Sequence, residues 1–187
     1  TVLLHQLGEL VTTAGQGRVA VLCTTATGVA HWQRLLGLQN SVTILTFGAA
    51  AWQGLQQQQP HQTWPILNPT VEAELWDTAR RLSGFTGSRH EATLHGRAYR
   101  YQKTLANTGP QRALLIAFDQ LLERTGGYDT PGLLRAHIQA GRQTATTVPL
   151  FDHLVVDHAH DLTALELTWL IDQALAGATL HCAACPT

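Results

Sequence analysis

Four short apolar runs, separated by stretches with helical periodicity, limit the folds open to this chain more than any other feature. These runs predict strands at residues 19–23, 42–46, 152–157 and 178–182; the third run itself is Leu154 to Val156, and a helical pattern follows the first and the third. Runs this continuous are typical of strands that are covered on both faces. Strand, helix and strand in this order predict βαβ units. We therefore predict an α/β fold built on a parallel sheet.

The middle of the chain has a different composition. The stretch GLQQQQPHQTWPILNP contains four consecutive Gln and three Pro, which predicts a break in regular structure. Helical patterns return in four stretches, at about residues 70–82, 97–106, 111–124 and 130–141. We predict a helical insertion, residues 60–145, between two parts of an α/β core, residues 1–59 and 146–187.

Composition restricts the possible partners and the compartment. The chain has 12 basic and 13 acidic residues, so no net field attracts it to polyanions, and any contact with nucleic acid must be local. Three cysteines cannot all pair within the chain, and Cys23 lies in a strand pattern, so we expect a reducing cytoplasm. Since no apolar run is long enough to span a bilayer and no secretory signal is visible, we expect no membrane contact.

Four ionisable side chains follow the third apolar run within five residues: Asp157, His158, His160 and Asp161. Parallel sheets place ligand-binding groups at the carboxyl ends of their strands. One interpretation is a metal-dependent hydrolase that uses His158 and His160, although both carboxylates are immediately adjacent to a histidine, which is unusual for an extended metal motif. A second is that the histidines are surface residues and Asp161 is the N-cap of a helix that starts near Leu162.

A third interpretation is a nucleotide site. A buried strand that ends in Asp is the Walker B arrangement, in which the carboxylate holds Mg²⁺ and the next residue polarises the attacking water. The segment FDHLVVDHAHDLTALEL resembles the corresponding segment of the UvrD-like superfamily 1 DNA helicases, where Asp-Glu-x-Gln-Asp follows the strand. The resemblance implies a RecA-like, P-loop NTPase-type sheet, with Asp157 as the Mg²⁺ ligand and His158 in the place of the catalytic Glu. It also places His160 beside the nucleotide.

Flanking segments are similar to the same family in the same order. The strand ends RVAVLCTT and VTILTF resemble those that contact single-stranded DNA, which implies that role for Thr24, Thr25, Thr46 and Phe47. The segment GGYDTPGLL is similar to the turn that ends the helical subdomain of these helicases. Thr1 resembles the residue that follows a Walker A Gly-Lys, which implies a nucleotide-binding role for Thr1 as a Mg²⁺ ligand. The final ATLHCAACPT lies where motif III is expected.

Departures from the family pattern reduce the nucleotide binding and hydrolysis that we expect. The chain begins on Thr1, after the position of the phosphate-binding loop and its Lys, and we expect it to be a segment of a longer protein. An imidazole at His158 offers no negative charge near neutral pH. The resemblance implies ATP and Mg²⁺ as cofactors, with weak or absent binding, and single-stranded DNA as a weakly bound partner.

The sequence thus predicts a non-hydrolysing module for single-stranded DNA handling or partner docking, within a helicase or helicase-nuclease assembly. One alternative is an active ATP-dependent helicase completed by residues outside this chain, and another is the metal-dependent hydrolase. If Asp157 is a Walker B residue, we expect neither ATP-Mg²⁺ nor Zn²⁺ to bind tightly.

Overall fold

The sheet has four parallel strands among the residues that the computed structural model describes, which are 7–10, 12, 17–37, 41–102, 109–143 and 148–182. The strands are β1 (Val19–Cys23), β2 (Val42–Thr46), β3 (His153–Val156) and β4 (Thr179–Cys182). Their order across the sheet is β2-β1-β3-β4, and all three neighbouring pairs are parallel. The predicted α/β class is confirmed, and each strand lies within one residue of its predicted bounds.

Helices cover both faces of this sheet. Helix α1 (Ala26–Leu36) packs on one face through Trp32, together with Leu7 from the helical residues 7–10 and 12. The other face carries α2 (Phe47–Gln58), α6 (Thr130–Gln143) and α7 (Ala164–Leu175), which bury the larger apolar cluster. Strand β1 is buried along its whole length because it lies in the middle of the sheet, as its uninterrupted apolar sequence predicts.

The helical insertion has its own apolar core. It consists of α3 (Pro69–Ser83), α4 (Arg89–Gln102) and α5 (Gly109–Thr125). The rings of Trp76 and Phe118 stack in its centre with centroids 3.5 Å apart. Helix α4 approaches this pair closely at Gly96, where an added Cβ would overlap the Trp76 ring.

The two ends of the insertion meet in a short neck. Ile66 and Tyr128 form a parallel bridge, in which the Leu67 N–H donates to the Tyr128 carbonyl at 2.9 Å and the Tyr128 N–H to the Pro65 carbonyl at 2.8 Å. Beside the neck, the buried Arg100 guanidinium donates to both carboxylate oxygens of Asp129, at 2.5 and 2.9 Å. Arg100 also pairs with Asp119 at the surface. The Asp129 ion pair therefore ties the insertion to the start of α6.

One histidine lies inside the main core. His137 is 3% exposed, and its Nδ1 accepts from the Trp169 indole N–H at 2.8 Å. The proton of the neutral ring is consequently on Nε2, which lies 3.5 Å from the Gln58 amide nitrogen. Both of these nitrogens are donors, so this contact is not a hydrogen bond. Burial lowers the pKa of His137 from 6.5 to about 4, while the charge of Asp172 acts in the opposite direction.

Three elements differ from their sequence predictions. Gln56, Gln57 and Gln58 continue α2, because Gln is a good helix former and the helix is stopped only before Pro60. Helix α4 starts at Arg89 rather than 97, since Ser88 and Glu91 form reciprocal capping hydrogen bonds. The predicted boundary at residue 145 assigns helix α6 to the insertion. In the structure this helix contributes Leu133, Leu134 and Ile138 to the core beneath the sheet.

Within the described residues, no helix combines the length and the apolar character needed to cross a membrane.

Candidate functional site at the carboxyl edge of the sheet

The carboxyl ends of β1, β2 and β3 bring several of the predicted site residues to one edge. The register pairs Cys23 with Thr46 and Leu22 with Val156. Thr24 and Thr25 follow β1 directly, and Asp157 and His158 follow β3. Hydroxyls, a carboxylate and imidazoles therefore share the edge at which parallel sheets bind ligands.

Asp157 is held by two hydrogen bonds from its own surroundings. Its Oδ2 accepts from the Trp32 indole N–H at 2.9 Å, and its Oδ1 accepts from the His158 backbone N–H at 3.0 Å. Trp32 is buried, so its N–H needs a protein partner. Trp32 is not among the site residues predicted from the sequence, although a Trp on the buried face of a helix after β1 indicates a polar partner at that strand end. These bonds orient the carboxylate toward α1.

Cys23 lies close to this carboxylate but carries no reactive thiolate. Burial raises the pKa of its thiol to about 11, and the negative charge of Asp157 acts in the same direction. A protonated, buried thiol behaves as a small apolar side chain. Cys23 is thus part of the buried core, in line with its position in a predicted strand.

His158 adopts a left-handed backbone conformation, with φ 53° and ψ 47°. This conformation is uncommon for a residue other than glycine, and it turns the chain sharply after β3. The Asp161 N–H donates to the His158 carbonyl at 2.9 Å and closes the turn. The His158 side chain is 54% exposed, with its Nε2 3.7 Å from Asp157 Oδ2.

The turn brings together side chains that an extended chain would separate. Residues Ala159–Asp161 form a single turn of 3₁₀ helix, and the ring centroids of His158 and His160 lie 5.5 Å apart. Potential ligand atoms of His158, His160 and Asp161 all lie within 4.8 Å of one another. All three residues are exposed. Because the chain turns here instead of staying extended, the spacing of the carboxylates from the histidines does not exclude a metal site.

Helix α7 begins after this turn, and its N-cap is Thr163 rather than the predicted Asp161. The Thr163 side chain accepts from the Glu166 N–H, and the Glu166 carboxylate accepts from the Thr163 N–H at 2.9 Å. This reciprocal capping box leaves Asp161 at the end of the 3₁₀ turn. The Asp161 carboxylate consequently faces solvent beside the two histidines.

The predicted DNA-contacting residues have different environments. Thr25 is the N-cap of α1 and accepts from the Gly28 N–H at 3.1 Å, and Thr46 is the N-cap of α2 and accepts from the Ala49 N–H at 3.2 Å. Phe47 is 1% exposed and packs against Trp169 in the core. A base could stack on Phe47 only if the ring left the core, so this structure offers no support for the predicted stacking role.

Thr1, expected beside the nucleotide, lies outside the described residues, as do Cys185 and Pro186 of the segment similar to motif III. Cys182 is described and exposed. The structure therefore assigns no geometry to Thr1 or to the Cys182 and Cys185 pair.

A cavity away from the carboxyl edge is a different feature. It has a volume of about 660 Å³ and lies between the insertion and α6, with Trp64, Tyr128, Arg100 and Arg135 among its lining residues. None of the carboxyl-edge residues lines it. The sequence patterns did not predict this groove, because its walls come from helices that are distant in the chain.

The fold and this edge define an α/β protein with a parallel sheet whose polar side chains gather at the carboxyl ends of three strands. No protein-family model and no curated protein matches the chain.

Proposed function

We propose that this chain is a helicase-derived module that binds single-stranded DNA along the carboxyl edge of its sheet and does not hydrolyse ATP. It would act in a cytoplasmic helicase or helicase-nuclease assembly. The observation that carries the proposal is the parallel register, which groups Thr24, Thr25 and Thr46 with Asp157 on one edge. The resemblance to UvrD-like helicases puts single-stranded DNA and the Walker B Asp at this edge.

The chemistry of the edge suits phosphate contacts. Thr25 and Thr46 accept hydrogen bonds from the first turns of α1 and α2, which leaves each hydroxyl hydrogen free to donate to a phosphate oxygen. Helix N-termini also attract anions through their backbone N–H groups and dipoles. Contacts of this kind position a nucleic acid backbone without reading its sequence.

The same edge is poorly suited to ATP and Mg²⁺, the cofactors that the resemblance implies. Mg²⁺ prefers oxygen ligands in octahedral geometry. The Asp157 carboxylate already accepts from Trp32 and from the His158 backbone, and the adjacent side chain is an imidazole instead of a second carboxylate. These residues do not fit the metal-nucleotide complex, so ATP hydrolysis is not part of the proposed function.

Binding of a fluorescent oligo-dT strand, measured by anisotropy at low salt, tests the proposal. Thr25→Asp with Thr46→Asp keeps both helix caps, because Asp is a good N-cap residue, and adds two negative charges at the edge. Each added negative charge close to a phosphate makes the binding free energy less favourable by about 1 kcal/mol in water. We therefore expect the affinity for the oligo-dT to fall about tenfold or more.

Asn68→Asp is the matched control, because Asn68 caps α3 in the insertion and the change also adds negative charge to a helix cap. The affinity of the Asn68→Asp variant for the oligo-dT should equal that of the wild type. Equal affinity of the double variant and the wild type would place the DNA elsewhere and contradict the proposal.

The alternative of an active ATP-dependent motor is tested separately by titrating the chain with a fluorescent ATP analogue and Mg²⁺. We expect no saturable binding. Saturable binding that Asp157→Asn abolishes would favour the active helicase instead.

A further inference from the structure

We propose that His158, His160 and Asp161 form a binding site for a divalent late transition-metal ion, with Zn²⁺ as the representative ion. The three side chains offer two imidazole nitrogens and one carboxylate oxygen, all within 4.8 Å of one another. Ligand atoms around tetrahedral zinc are roughly 3.3 Å apart when each lies about 2 Å from the ion. Small rotations of exposed side chains cover this difference.

The backbone holds the three ligands on one turn before any ion binds. The left-handed conformation of His158 reverses the chain after β3, and the hydrogen bond from the Asp161 N–H to the His158 carbonyl closes the turn. The ligands therefore lose little backbone freedom when the ion binds, which favours affinity. The turn is also anchored at both ends, by the buried strand β3 and by the capping box of α7.

The negative charges around the turn favour the binding of a cation. Asp161 contributes one negative charge directly, and Asp157 Oδ2 lies 3.7 Å from His158 Nε2. At this distance the two groups are not hydrogen-bonded, so Asp157 adds negative charge beside the turn and is not assigned as a ligand.

The ligand types select the class of metal. Imidazole with carboxylate suits Zn²⁺, Co²⁺, Ni²⁺ and Fe²⁺, whereas Mg²⁺ and Ca²⁺ prefer sites composed of oxygen atoms. With three protein ligands, at least one coordination position is left for water or a substrate atom. This inference replaces the expectation from the sequence that Zn²⁺ would not bind tightly, because the turn adds Asp161 to the two imidazoles as a third donor. It does not depend on the proposed DNA binding, since it rests on the turn alone.

The test is a Zn²⁺ titration of the chain against a chromophoric chelator at pH 7.5. Cys182→Ser and Cys185→Ser form the background, because thiolates also bind Zn²⁺. We expect one equivalent of Zn²⁺ to bind, and His160→Ala to weaken the binding at least tenfold. His61→Ala removes another exposed histidine, distant in sequence from the turn, and should leave the affinity unchanged.

Paramagnetic Co²⁺ gives a second measurement that does not depend on stoichiometry. We expect substoichiometric Co²⁺ to broaden the ring resonances of His158 and His160 before those of His61. Circular dichroism should show that His160→Ala retains the helical content, as expected for an exposed side chain. Stoichiometric binding that His160→Ala leaves unchanged, or the absence of stoichiometric binding to the background with Cys182→Ser and Cys185→Ser, would overturn the inference.

Discussion

The buried His137 should make the stability of this protein depend on pH in a direction and range that the structure sets. In the folded state, burial lowers the pKa of His137 to about 4, whereas the ordinary value is 6.5. Between these pH values the unfolded chain binds a proton that the folded chain does not. Stability is therefore lost as pH falls from 6.5 towards 4. Each pH unit in this window corresponds to about 1.4 kcal/mol, which gives about 3 kcal/mol over the whole window.

Urea unfolding followed by tryptophan fluorescence at pH 7 and pH 5 measures this effect. The control is His137→Asn, which offers an oxygen to the Trp169 indole N–H and does not titrate. The variant is expected to be less stable at pH 7. Its deficit should shrink at pH 5, since the wild type loses about 2 kcal/mol from His137 over this interval.

The other nine histidines and the carboxylates are the same in wild type and variant, so the difference between the two proteins isolates His137. Parallel losses in both proteins would refute the argument. A direct NMR titration of the His137 ring provides a second measurement, and a midpoint near 6.5 would show that the ring is not shielded from protonation.

Two further predictions concern the insertion. Asp129→Asn leaves the buried Arg100 guanidinium incompletely paired and should lower the free energy of unfolding by about 3–5 kcal/mol, whereas Asp119→Asn at the half-exposed partner should cost less than about 1 kcal/mol. Gly96→Ala places a methyl group against a buried indole and should cost about 1–3 kcal/mol, while Gly109→Ala meets open space and should change stability little. Urea denaturation measures both pairs, and equal effects within a pair would contradict the corresponding contact.

The strands could be predicted because their signal is local. Residues 19–23 form an unbroken apolar run, and such a run has few alternatives to a central strand of a parallel sheet. The helices needed more than periodicity. The start of α4 depends on the capping bonds of Ser88 and Glu91, and the length of α2 depends on the helix propensity of Gln.

The site could be located from the sequence but its geometry could not. The residues after β3 could be predicted as site residues because ionisable side chains follow a buried strand. Their arrangement depends on the left-handed backbone of His158 and on the Trp32 hydrogen bond to Asp157, which spans 125 positions of the chain. Phe47 shows the same limit, because a strand-end pattern does not state whether the ring faces solvent or the core.

The neck at Ile66 and Tyr128 has a topological consequence. The two segments run in the same direction, so the chain resumes its path beside the point where it left, displaced sideways by about 4.8 Å, one strand spacing. The chain therefore enters and leaves the insertion at adjacent points. Helices of another number or length could occupy it while every strand of the sheet kept its present neighbours.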